Sequence, residues 1–287
     1  MSFQVRKGSI FGLLGQNGAG KTTILKVLST LLLPSAGEVK VLGHDVKRDY
    51  RWIRSRIAIM FGGERGLYGR LTGQENLAMF YNLHALPMSS RADTLARLAT
   101  EVGLDDTILH RRVMTYSRGM RQKLHLARTL LNDPEVVFLD EPTIGLDVEA
   151  AERFRTMVRR LRDQGRTVVL TSHYMRDIEE LCDHVVIIKD GRLVLDQPYE
   201  DLRRREIENR KFVSISLCDP LDAGRVGLIG ELARLGARES KNDGGFHMVL
   251  ERQDPTDRQL LERFGAAVAG YSTRDVTFED IYLRYAS

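Results

Sequence analysis

The residues best equipped for chemistry lie in Gly15-Gln16-Asn17-Gly18-Ala19-Gly20-Lys21-Thr22-Thr23, between a short apolar run and a helical one. Glycines at this spacing let successive backbone N–H groups curl around phosphate oxygens, and a helix beginning near Lys21 adds its positive end. The stretch fills every position of a phosphate-binding loop in the required strand-to-helix setting. It predicts Lys21 on the β and γ phosphates of a nucleoside triphosphate and the Thr22 hydroxyl as a Mg²⁺ ligand. A second group is Val136-Val137-Phe138-Leu139-Asp140-Glu141, an apolar run ending in two carboxylates. A buried strand would deliver them at its C-terminal edge, where open α/β sheets place ligands. Asp140 is expected to hold Mg²⁺ through water and Glu141 to polarise an attacking water, since phosphoryl transfer needs mainly positioning and charge neutralisation.

Elements with the right periodicity surround these groups. Ser9 to Leu14, Glu38 to Leu42, Ile57 to Phe61, Val136 to Asp140, Thr167 to Ser172 and Val185 to Lys189 read as strands alternating with helical stretches. That order predicts an α/β fold with a mostly parallel sheet. Between about residues 71 and 132 the strand signals stop and helices take over, starting at Thr72-Gly73-Gln74-Glu75 with capping-box spacing. Asp190-Gly191 predicts a tight hairpin that closes the first domain. The charged run 203–211 suits a connector, so the reading is one domain over 1–205 and a small α+β domain over 211–287. In the latter, Phe212 to Leu217 and Phe246 to Leu250 read as strands, and Gly224 to Leu235, Asp257 to Phe264 and Phe278 to Tyr285 as helices.

Composition narrows the class. The chain has 287 residues, 43% of them hydrophobic and 29% charged, enough for about two folded domains. The net charge of +4, from 43 basic and 39 acidic residues of interspersed sign, gives no reason to expect a nucleic-acid partner. Cys182 and Cys218 are the only cysteines, so neither a disulfide framework nor a zinc site is indicated and a reducing cytoplasm fits. No apolar run approaches the roughly 20 residues that span a bilayer. A membrane role would require another chain to supply the span.

A third motif makes the pattern specific: Tyr116-Ser117-Arg118-Gly119-Met120-Arg121-Gln122, ahead of a helical run through Leu130. The phosphate loop, this Ser-x-Gly segment, the Asp-Glu strand, Pro142-Thr143-Ile144-Gly145-Leu146-Asp147 and His173 follow one another in that order. Together they resemble the ATP-binding subunit of an ABC transporter over roughly residues 1–201. The resemblance implies a P-loop NTPase domain with an inserted helical subdomain. It also implies a Mg-ATPase that pairs head to tail with a second copy of itself, sandwiching ATP. In that arrangement Ser117 and Gly119 would bind the γ-phosphate held by the opposite subunit, and Asp147 would link the two sites across the dimer. His173 would contact the γ-phosphate and orient the attack. Ser117 also has the chemistry of an ordinary helix N-cap, a role compatible with ligand binding. The implied partner is an integral membrane permease, which places the chain in the cytoplasm, peripheral to the inner face of the membrane. Asp275 to Arg284 and the segment around Leu71 to Leu77 resemble the drug and antibiotic exporter branch, which implies export.

Two features depart from the family pattern. Glycine stands where members carry a glutamine after the strand at Ile57 to Phe61, and Glu64 is the nearest substitute metal ligand. Members also have a further strand and an adenine-stacking aromatic ahead of the phosphate loop, whereas only 14 residues precede Gly15 here. Phe3 is the one candidate for that stacking aromatic, and the expectation is that Met1 is an internal codon taken as the start. The competing readings are a soluble ABC-type ATPase acting on ribosomes or nucleic acid, and a regulatory nucleotide-binding protein of low turnover. The single cassette without a heptad insertion argues against the former, and Glu141 with His173 against the latter.

Overall fold

The structure, a computed structural model, describes residues 1–62, 66–218, 223–239 and 245–286. The chain forms two compact units, Met1–Tyr199 and Glu200–Tyr285. In the first, the elements run β1 (Ile10–Gly15), α1 (Lys21–Leu28), β2 (Lys40–Val41), β3 (His44–Asp45), α2 (Tyr50–Arg54), β4 (Ile57–Met60), α3 (Gly73–Leu83) and α4 (Arg91–Val102). They continue through α5 (Asp106–Leu109), α6 (Arg118–Thr129), β5 (Val136–Asp140), α7 (Val148–Asp163), β6 (Thr167–Thr171), α8 (Met175–Leu181), β7 (His184–Lys189) and β8 (Arg192–Pro198).

Strands β1, β5 and β6 are buried along their whole length, as unbroken apolar runs covered on both faces must be. Six strands form one sheet in the order β4-β5-β6-β1-β7-β8. All neighbours are parallel except β8, which returns antiparallel to β7 through Asp190 and Gly191, both at positive φ. The core on one face gathers Phe11, Leu13, Leu25, Ile53, Phe138 and Val186. Register then fixes the business edge. Asp140 lies opposite Thr171, and Thr171 opposite Leu13, so the segments leaving β5, β6 and β1 emerge together at the C-terminal edge.

Helices α3 to α6 occupy the stretch between β4 and β5. Thr72 caps α3 with a full capping box: its hydroxyl accepts from the Glu75 N–H at 3.1 Å, and the Glu75 carboxylate accepts from the Thr72 N–H at 2.7 Å. One strand differs from expectation. Glu38 to Leu42 contributes only β2, which pairs with β3 in a separate two-stranded hairpin. Leu42 and Gly43 both take positive φ and reverse the chain before it can reach the main sheet.

The second unit begins within α9 (Tyr199–Leu202), and the charged run follows as a π-helical turn over Arg203–Glu208. Then come β9 (Arg210–Leu217), α10 (Ala223–Arg234), β10 (Arg238–Glu239), β11 (Phe246–Glu251), α11 (Thr256–Phe264), β12 (Val268–Asp275) and α12 (Phe278–Ala286). The antiparallel sheet has the order β10-β11-β9-β12, the ferredoxin-like βαββαβ arrangement. Val213, Ile215 and Met248 from the sheet pack against Leu228, Leu232 and Leu260 from α10 and α11. Sequence reading misses β12: Val-Ala-Gly-Tyr-Ser-Thr-Arg-Asp has no apolar alternation, and its exposed residues are held in place by pairing with β9.

A buried carboxylate closes this unit. Asp257, 2% exposed, accepts from Lys211 Nζ at 2.6 Å and from the Tyr271 hydroxyl. Burial opposes its ionisation, but the hydrogen bonds from Lys211 and Tyr271 outweigh it and hold the carboxyl below the ordinary aspartate range. Burial and the bond to Asp257 push Tyr271 up to about 12. A depressed carboxyl contributes stability that is fully present above the unfolded-state pKa and is lost as pH falls through the folded one. Asp257→Ala should therefore destabilise this unit by about 3 kcal/mol near neutral pH. In urea titrations of the full chain, the difference from the parent should shrink on acidification. A constant difference down to acid pH would show that the charge is not what stabilises.

Candidate nucleotide site

The loop after β1 is shaped by its own backbone. Gly18 and Gly20 have φ of 85° and 104°, a region that side chains with a β-carbon rarely enter. The Ala19 N–H donates to the Gln16 carbonyl at 3.1 Å, and helix α1 begins directly after Gly20. No side chain caps α1 and its first turn holds no acidic residue, so its leading N–H groups face the loop without a built-in anion. Lys21 is only 5% exposed, and its ammonium donates to the carbonyls of Gly15 at 2.7 Å and Gln16 at 3.2 Å. Burial pushes its pKa down from the usual lysine range, while Glu141 and Asp140 oppose that shift. The lysine sits folded onto the loop it would serve.

Facing it, Asp140 is 8% exposed and takes the Thr22 hydroxyl at 3.0 Å and the Thr171 hydroxyl at 2.6 Å. Glu141 follows in a left-handed conformation, φ 46°, uncommon for a residue with a side chain. Its N–H donates to the carbonyl and hydroxyl oxygens of Thr171, at 3.1 Å and 3.0 Å, which pins the turn. Its carboxylate thereby reaches out from the sheet edge: Oε1 is 4.0 Å from Lys21 Nζ and Oε2 is 3.3 Å from Nδ1 of His173. His173 is partly exposed and lies against the Tyr174 ring, centroids 4.3 Å apart. Lys21, Thr22, Asp140, Glu141 and His173 thus form one cluster.

Ser117, Gly119 and Asp147 form another. The Ser117 hydroxyl caps α6 by accepting from the Met120 N–H at 3.2 Å, and Asp147 caps α7 by accepting from the Ala150 N–H at 2.7 Å. These two helix starts flank a cavity of about 170 Å³ lined by Ser117, Arg118, Gly119, Gly145 and Asp147 among others. The clusters are joined by Gln122, whose side-chain amide donates to the carbonyl of Pro142, the residue after Glu141.

Gly62, at the position where family members carry glutamine, lies against the Asp140–Glu141 turn. A β-carbon there would sit 2.8 Å from the Asp140 carbonyl oxygen, closer than packing permits without movement. Gly63 and Glu64 lie outside the described residues. Phe3 is committed to the core, stacked on Phe11 with ring centroids 5.4 Å apart. Sequence reasoning overlooked Thr171, which ties Asp140 to Glu141, together with Gln122 and the hydroxyls of Thr143 and Ser172. Hydroxyl residues at the buried end of a strand were the available signal for Thr171 and Ser172.

A phosphate loop at a helix start, facing two carboxylates at a sheet edge, defines a P-loop nucleoside triphosphatase. A profile for the ABC transporter family matches residues 1–144. The chain is 40% identical over 256 residues to a fluoroquinolones export ATP-binding protein of Mycobacterium tuberculosis, covering 87% of this chain and 78% of the relative. It is 34% identical over 284 residues to the daunorubicin resistance ATP-binding protein DrrA3 of Streptomyces coeruleorubidus, covering 99% and 86%. Among solved structures, the dimeric, post-hydrolysis ATP-binding cassette MJ0796 bound to ADP and Pi shares the fold, with a TM-score of 0.61 and 23% identity over 68% of this chain and 88% of that one. The chain belongs to the ABC transporter family, as an ATP-binding, ATP-hydrolysing subunit.

Proposed function

We propose that the chain works as a symmetric pair that hydrolyses Mg-ATP at two shared sites and drives export through a separate membrane permease. The observation that carries this reading is the cluster in which Glu141 lies between Lys21 and His173 while Asp140 faces Thr22. The names of the export and resistance relatives support the direction, and the dimeric cassette supports the pairing. Among the described residues no helix is long and apolar enough to cross a membrane. In this reading the span belongs to the permease, and the subunit sits at the inner face of the membrane.

The Thr22 hydroxyl and Asp140 carboxylate are hard oxygen donors beside a phosphate loop, a set that fits Mg²⁺, which takes few protein ligands and completes its shell with phosphate and water. Bound there, Mg²⁺ would neutralise phosphate charge. The chain's own residues do the rest. Lys21 exchanges its bonds to the loop carbonyls for phosphate oxygens, and the N–H groups at the start of α1 surround them. Glu141 orients water and accepts its proton. His173, with Nδ1 turned to Glu141, presents Nε2 to the γ-phosphate. Ser117, Gly119 and Asp147 act on the nucleotide held by the partner.

Steady-state phosphate release should depend on Mg²⁺ and fall to background in excess EDTA, with unchanged circular dichroism. Thr22→Ala should raise the Mg²⁺ concentration needed for half-maximal rate. An EDTA-insensitive rate would remove the metal from the account.

A further inference from the structure

We propose that Asp177 is a positioning residue that ties the turn leading to Asp147 to the segment carrying His173, so that docking of the partner and alignment of the histidine are one event. The Asp177 side chain is 1% exposed. One carboxylate oxygen, Oδ2, accepts both the Thr143 hydroxyl and the Ser172 hydroxyl, the latter at 2.8 Å. The other, Oδ1, accepts Nη1 of Arg155 at 2.9 Å.

These three donors come from three different segments. Thr143 stands in the turn between Glu141 and Asp147, and Ser172 immediately precedes His173. Arg155 stands in α7, the helix that Asp147 caps. Ser172 is further constrained because its hydroxyl also accepts from the Tyr174 N–H at 3.0 Å, so the backbone on both sides of His173 is held. A buried carboxylate that lost these donors would be left with an uncompensated charge, which is costly enough to keep the three segments together.

Two hydroxyls donating to one buried oxygen are coupled through it. If the turn carrying Asp147 shifts by a fraction of an ångström when a partner docks, Thr143 moves, Asp177 follows, and Ser172 carries His173 with it. Close-packed surroundings transmit that displacement instead of absorbing it. Thr143, Ser172 and Asp177 are all 3% exposed or less. The link is distinct from Gln122, which joins α6 to Pro142 without reaching the histidine.

The inference rests on the shared-site reading above. Its test uses the full chain and removes one hydroxyl while leaving the Asp177–Arg155 pair in place. Thr143→Val keeps shape and burial. It should lower kcat for ATP about 10-fold, the scale of a small misalignment at a reacting centre. Equilibrium ATP binding should stay within about 2-fold, and the Hill coefficient of the ATPase should fall toward one. Thr143→Ser, which restores the hydroxyl, should recover both kcat and the Hill coefficient. A Thr143→Val protein with parental kcat and Hill coefficient would overturn the proposal. So would a lowered melting temperature with parental kinetics, because that is what a merely structural hydroxyl would give. The parent reading is judged separately by ATP-driven pairing of Glu141→Gln. If that variant pairs while Thr143→Val turns over like the parent, only the Asp177 link fails. If it does not pair, the shared-site reading fails, and with it the role of the link in partner docking.

Discussion

Glu141→Gln should lose turnover by about 10²- to 10⁴-fold, the contribution of a positioned general base, while ATP binding persists. The amide is isosteric with the carboxylate and can keep the contact geometry near Lys21 and His173, but it cannot take a proton from water. The left-handed turn at Glu141 is set by its backbone bonds to Thr171, which the substitution leaves alone. Chemistry therefore fails before binding does. In steady-state assays kcat should collapse, and equilibrium titration should show ATP affinity equal to or tighter than the parent's, because the bound state no longer decays. Retained turnover would shift the base to another group, with His173 the first candidate.

The second large effect concerns which subunit owns which half of a site. Lys21→Ala removes the buried ammonium from the phosphate loop, and Ser117→Arg places bulk and charge at the start of α6. Each variant alone should be nearly inactive. Random pairing in an equal mixture makes half the dimers mixed, and each mixed dimer contains one site with an intact loop and an intact facing serine. About a quarter of parental activity should return if exchange is complete and sites act independently. If both elements served the same chain's nucleotide, no mixed dimer would have a working site. Absence of recovery in dimers shown to be mixed would therefore count against sharing.

Much of this was legible because it is local. The phosphate loop and the Asp140-Glu141 strand are contiguous stretches whose residue types dictate backbone and chemistry together, and the parallel α/β sheet follows from apolar runs such as Val136–Asp140. What escaped is long-range. The hydroxyl of Thr171 meets Asp140 across 31 residues and that of Thr143 meets Asp177 across 34. A threonine in a strand or turn says nothing by itself about such a partner. Strand β12 escaped for a related reason, since its residues carry no apolar alternation and its order comes from pairing with β9. The strand read at Glu38 to Leu42 was overextended because the positive φ of Leu42 is not written in a leucine.

The most direct measurement of the central claim is the mass in solution of the Glu141→Gln protein, by sedimentation velocity with Mg-ATP and separately with Mg-ADP. A shared site needs ATP to join two copies through Ser117, Gly119 and Asp147 of one and the phosphate loop of the other. The account predicts a dimer with ATP and a monomer with ADP, with the ATP-dependent dimer lost when Ser117→Arg is added. A monomer at saturating ATP, with nucleotide shown to be bound, would contradict it.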